Sequence, residues 1–162
     1  MGDWCENRVL LAGPTTMLDS LLFAMTGLEA HEVMQAFVPI PDGLTGYSRD
    51  AWIADNWGTD MVIVTKHDRI DCMNLVVHFR SAYSPPVPFY KKLSASGLHV
   101  DAAFNLSGVF CGKYHAGKFD CCDYEGMTAE EAASVIPGDV DAEFGIIAEL
   151  RSAESDEGTD GR

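Results

Sequence analysis

Three prolines within four positions, in the run Ser84-Pro85-Pro86-Val87-Pro88, constrain this chain more than any other feature. Proline has no amide N–H and a fixed φ, so the run can continue neither a helix nor an interior strand. The chain must redirect here, and the segments on either side must be separate elements. After the run, Phe89–Ser96 reads as a helix stopped by Gly97. Before it, Met61–Thr65 and Asn74–Phe79 are apolar runs of strand length. Between those two, His67-Asp68-Arg69-Ile70-Asp71 is polar enough to be a hairpin connection.

The flanking sequence extends this pattern. Residues 8–13 predict a short strand ending at Gly13-Pro14. Thr15 or Thr16 then caps a helix whose Met17, Leu18, Leu21, Leu22, Met25 and Leu28 recur at helical steps. Residues 29–57 read as an insertion folded over the sheet, with two prolines at 39 and 41 and a short helix capped by Ser48 that carries Trp52 and Ile53. Leu98–Leu106 alternates as a strand, and Val109–Tyr114 with Lys118–Tyr124 forms a hairpin around His115-Ala116-Gly117. The order β-α-insertion-β-β-α-β plus a hairpin is that of an α+β, ferredoxin-like split βαβ sheet, antiparallel with two helices on one face. The fold name implies no iron–sulfur cluster, because no ligand set for one is present.

The rest of the chain is acidic. Residues 120–162 hold 13 Asp/Glu against 2 Lys/Arg, a net of −11, whereas the first 119 residues hold 12 against 9, a net of −3. Thr128-Ala129-Glu130-Glu131 is a capping box opening a helix that runs to Pro137-Gly138. Asp139 is placed to cap a second helix, with Val140, Phe144, Ile147 and Leu150 on one side. The expected organisation is one domain over 1–151, with an acidic extension from about 120 and a disordered acidic tail over 152–162. Such a field repels nucleic acid and attracts basic protein surfaces.

Catalytic signatures are sparse. The sequence has no GxSxG, HExxH, P-loop or GxGxxG motif, no cofactor motif, and no apolar run near the ~20 residues of a membrane span. Its start lacks a signal-peptide pattern, so the expected location is the cytoplasm of a host cell. Five cysteines without CxxC spacing read as reduced thiols. Cys111, His115, Cys121 and Cys122 are zinc-ligand types, but adjacent cysteines rarely reach one ion, and ordinary thiols are the simpler reading. His78 and His99 fall on strands, and Asp101 near His99 suits a base and its orienter, yet no nucleophile accompanies them. The stretch Asp55-Asn56-Trp57-Gly58-Thr59-Asp60 has two readings. Trp57 and Gly58 suit a packed tight turn, while Asn56, Trp57 and Asp60 with Ser84 could line a small-ligand cleft beside the proline loop.

Several stretches together resemble one family. These are Trp4-Cys5-Glu6-Asn7-Arg8-Val9-Leu10 through Gly13, Phe37-Val38-Pro39-Ile40-Pro41, Trp52, Asn56-Trp57-Gly58-Thr59, Phe79-Arg80-Ser81-Ala82-Tyr83-Ser84-Pro85-Pro86-Val87-Pro88 and Leu93-Ser94. Their combination, over about residues 4–120, is similar to the YubB-type ferredoxin-like domain family of phage and plasmid genomes. The resemblance implies a ferredoxin-like fold and a mobile-element origin, and no activity, cofactor or catalytic residue. Where that family continues its turn as Lys-Trp-Asp, this chain has Asp60, Met61 and Val62. A ligand site built on that trio would be lost or altered here.

Resemblance and charge together lead to the functional expectation: a non-enzymatic accessory protein that binds and inhibits a host defence protein. The concrete version is an anti-CRISPR-like inhibitor whose Asp120, Asp123, Glu125, Glu130, Glu131, Asp139, Asp141 and Glu143 occlude a basic nucleic-acid-binding site on a CRISPR effector. The alternative is a small-ligand-binding domain using the Asn56–Asp60 and Ser84–Pro86 loops.

Overall fold

The computed structural model describes residues 3–27 and 30–157 of the chain. Its strands are β1 (Trp4–Ala12), β2 (Val62–Asp71), β3 (Asn74–Ala82), β4 (His99–Leu106), β5 (Phe110–His115) and β6 (Lys118–Asp123). The helices are α1 (Thr15–Gly27), α2 (Ala30–Phe37), α3 (Gly46–Asn56), α4 (Val87–Ala95), α5 (Ala129–Val135), α6 (Gly138–Phe144) and α7 (Ile146–Glu157). The six strands form one sheet in the order β2-β3-β1-β4-β5-β6, and every neighbouring pair is antiparallel. The fold class is α+β.

Alternation along the strands assigns the two faces. In β1, Cys5, Asn7, Val9 and Leu11 are buried on one side, while Glu6, Arg8 and Leu10 take the other. The first side meets α1 to α4: Val9, Leu11, Leu75, Val77 and Val100 pack against Leu18, Leu21, Met34, Ile53, Phe89 and Leu93. The second side carries the C-terminal helices, where Cys111 and Tyr124 pack with Ala129, Ala132, Ile136, Val140, Ile146 and Ile147. Both faces of the sheet are therefore covered, where the strand-and-helix order suggested helices on one.

Several elements differ from their sequence reading for identifiable reasons. The polar stretch His67–Asp71 belongs to β2 rather than to a connection, and the turn is at Cys72-Met73. β2 is an edge strand with mostly exposed side chains, so it shows no apolar alternation. α4 starts at Val87, inside the proline run, because Pro88 occupies the first turn, where no intrahelical amide is needed. The insertion holds two helices, and α3 starts after Thr45, with Ser48 donating to the Thr45 carbonyl at 2.8 Å instead of capping.

The expected helix from Asp139 through Leu150 is two helices. Gly145 sits in the left-handed region at φ 67° and closes α6, and the Asp141 carboxylate then accepts the Ile147 amide at 2.8 Å to open α7. Pro137, not Asp139, is the N-cap of α6. α7 continues through Glu157, so 152–157 of the expected disordered tail are helical, while 158–162 lie outside the described residues. Glu154 explains part of this, because its carboxylate accepts the Ala129 amide at 2.7 Å and ties α7 to the start of α5. Leu28, the last of the α1 stripe, also lies outside the described residues.

Candidate functional site

Three places concentrate chemistry, and the first joins the motifs that carry the family resemblance. Asn7 on β1 donates to Ser81 Oγ at 2.8 Å and to the Cys5 carbonyl at 2.9 Å, and its Oδ1 accepts from the Tyr90 hydroxyl at 2.9 Å. Ser81 donates in turn to the Ser84 carbonyl at 2.6 Å, and Ser84 Oγ donates to the Gly58 carbonyl at 3.2 Å. One chain of hydrogen bonds thus connects the opening strand, the proline loop and the Trp-Gly-Thr turn. Burial pushes the Tyr90 hydroxyl and the Cys5 thiol up, the latter to about 12, so both stay protonated at neutral pH.

The turn itself is closed rather than open. Trp57 is 2% exposed, and its indole N–H donates to the Val38 carbonyl at 2.8 Å. Trp52 packs edge-on against it, with ring centroids 5.9 Å apart. Asn56, the last residue of α3, donates back to the Trp52 carbonyl at 2.9 Å, and Thr59 Oγ1 donates to the Met61 and Ala82 carbonyls. Trp57 therefore points into the core and not into a cleft, and of the four suggested cleft residues Asp60 alone is exposed. The nearby apolar cavity, lined in part by Val9, Met34, Phe79 and Pro86, is about 40 Å³, far below the ~300 Å³ of a typical ligand pocket.

The second place is the acidic layer of β6 and α5 to α7. Much of its charge is engaged inside the molecule. Asp139 pairs with Lys113, whose ammonium draws its pKa below the usual carboxylate range, and the same bond raises Lys113. Glu143 meets Arg8 at 3.3 Å and His78 at 4.0 Å, which pins α6 across β1 and β3. Glu131 completes the capping box expected from the sequence and is lowered by the Thr128 amide. Asp141 caps α7, as described, and Asp123 accepts the Glu125 amide at 3.0 Å. Asp120 is exposed and pairs with Lys118 at 3.0 Å on its own strand. Among the described residues, the exposed Glu125 and Glu130 carboxylates hold no ion pair and Asp120 pairs only within its strand, so these three are exposed members of the set that do not anchor the helices.

The third place was read only in part from the sequence, which set Asp101 beside His99 but did not join His115 to them. On the second face of the sheet Asp101 of β4 lies directly opposite His115 of β5, with Asp101 Oδ2 and His115 Nδ1 3.2 Å apart. His99, two residues before Asp101 on the same face, sets its ring edge-on to His115 with centroids 5.5 Å apart. Sequence reading set Asp101 beside His99 and left His115 among the zinc-ligand types around the β5–β6 hairpin. Counting the β4–β5 register back from the His115-Ala116-Gly117 turn was the signal that could have found His115. The cysteine set around His115 does not converge. Cys111 and Cys122 face each other across β5 and β6, while Cys121 pairs with Gly112 and points to the opposite face.

Comparison of the chain with protein-family models, with curated proteins and with solved structures returns no match in any of the three. Among the described residues no helix is long and apolar enough to cross a membrane.

Proposed function

We propose that this chain is a ferredoxin-like accessory protein of phage or another mobile element that binds and inhibits a host defence protein. The strand order β2-β3-β1-β4, with α1 and α4 as crossovers on one face, supports the ferredoxin-like assignment, and β5–β6 is then an added hairpin. The meeting of Asn7, Ser81, Ser84 and Gly58 in one network supports the YubB-type resemblance, since its separate motifs have a common structural reason.

The observation that carries the inhibitory reading is the placement of the acidic segment. Its net charge of −11 over residues 120–162 is gathered largely on helices held as one layer by their own core. Fixed carboxylates cost less ordering entropy on binding than a flexible acidic tail. Such a layer suits occlusion of a Lys/Arg-rich nucleic-acid-binding surface, and the concrete partner is a CRISPR effector subunit. Binding is non-enzymatic in this reading, with no direct contact to nucleic acid.

Competition tests it. Purified protein should displace labelled DNA or RNA from a CRISPR effector, and less so at high salt. Substituting Asp120→Asn, Glu125→Gln and Glu130→Gln together should weaken displacement at least tenfold without changing the fold. Neutralising Asp139, Asp141 or Glu143 would confuse the result, because these residues hold α6 and α7. Undiminished displacement by the triple variant would remove the charge argument.

A further inference from the structure

We propose that His99, Asp101 and His115 bind a divalent first-row transition-metal ion of the Zn²⁺ type, with open coordination positions facing solvent. One ligand atom from each side chain lies within 4.8 Å of the other two. Ligand atoms around a tetrahedral ion at ~2.1 Å stand roughly 3.4 Å apart, so small side-chain rotations close the set. The backbone needs no adjustment, because Asp101 and His115 are fixed opposite each other in an antiparallel ladder and His99 is on the same strand as Asp101. Two imidazoles and one carboxylate suit borderline ions such as Zn²⁺, whereas a hard ion such as Mg²⁺ prefers an all-oxygen set.

The surroundings favour a cation and leave it accessible. Lys113, two residues from His115 on the same face, is neutralised by Asp139, and Lys118, opposite His115, is drawn towards Asp120 at 3.0 Å. The whole chain carries −14, which raises the local concentration of cations. His115 also lines an open groove between the β5–β6 hairpin and Val135 and Pro137, a space beside the site that a further ligand can enter. Three protein ligands with a vacant fourth position is the arrangement of catalytic rather than structural zinc sites. The site does not depend on the inhibitory reading, since none of its residues belongs to the exposed acidic set.

The test is titration of the full-length protein with Zn²⁺ and with Co²⁺ as a spectroscopic probe. One equivalent should bind, releasing protons and weakening as pH falls, because both imidazoles must be neutral to ligate. His99→Ala and His115→Ala, at exposed positions, should each lose at least tenfold in affinity while keeping the native circular dichroism spectrum. Cys72→Ser and Cys121→Ser should bind as the parent does, and Co²⁺ should show no thiolate charge-transfer absorption. Failure to bind either ion, affinity unchanged from the parent in either histidine variant, or a thiolate band removed by Cys121→Ser would each overturn the assignment.

Discussion

Trp57 is held on several sides at once: by Trp52, by the apolar core, and by the Val38 carbonyl that accepts its indole proton. Replacing it with Ala should destabilise the fold by about 3–5 kcal/mol, the usual cost of deleting a buried aromatic ring. Trp57→Phe keeps most of the packing but strands the Val38 carbonyl, for a loss of about 1–3 kcal/mol. Urea unfolding should rank Trp57→Ala as the less stable of the two variants, and a Trp57→Phe variant as stable as the parent would deny the hydrogen bond its role. The thiols separate as sharply. Burial raises Cys5 and Cys111 to about 12, while Cys72 and Cys121 are exposed. A thiol reagent at neutral pH should therefore label Cys72 and Cys121 first and reach Cys5 and Cys111 only on unfolding. Rapid labelling of all five would contradict the burial described.

Among the elements, the β5–β6 hairpin depends on a residue without a side chain. A Cβ built at Gly112 would stand 2.1 Å from the Asp120 carbonyl oxygen and 2.8 Å from the Phe104 ring. Gly112→Ala should force β6 away from β5 and cost about 1–3 kcal/mol or more, read as a lowered urea midpoint. Exchange of the β6 amides with solvent should rise in the same variant. The α5–α6 layer should respond to acid. Asp139 is lowered by its bond to Lys113 and Glu131 by the Thr128 amide, so both carboxylates favour the folded state when ionised. Their contribution is complete above the unfolded values, about 3.9–4.3, and is lost as pH falls through the lower folded values. Stability should therefore drop as pH falls below about 4, and Asp139→Asn should flatten part of that dependence. An unchanged pH profile in Asp139→Asn would show that the pair does not anchor α6.

Across the whole molecule, what was legible in the sequence was local. The Thr128–Glu131 box, the α1 stripe and the alternation of β4 each depend on residues a few positions apart, and each stands where it was expected. The overlooked features are long-range. β2 is polar as an edge strand with mostly exposed side chains, and its edge position is known only once the strand order is set. Gly145 sits within an apolar stripe that continues on both sides, so periodicity alone runs through the break. The site of His99, Asp101 and His115 needs the β4–β5 register, and the Asn7–Ser81 contact joins positions far apart in sequence. The two packed faces also draw on different parts of the chain, residues 9–114 for one and 111–147 for the other. A chain ending at Met127 should keep the sheet signal in circular dichroism yet bind a hydrophobic dye, because Cys111 and Tyr124 lose their cover. Loss of all sheet signal would instead make the helical layer a condition of the first core.

The position of β1 has a consequence in time. Of the described strands it leaves the ribosome before the others but lies between β3 and β4, and β3 begins about sixty residues later. At ~5–20 residues per second, β1 waits roughly 3–12 s with both hydrogen-bonding edges bare. Nascent chains of this protein thus pass through an interval in which an apolar strand is open to any passing partner. Its yield in a cell should then follow the pace of translation and the supply of chaperones more closely than the stability of the finished fold.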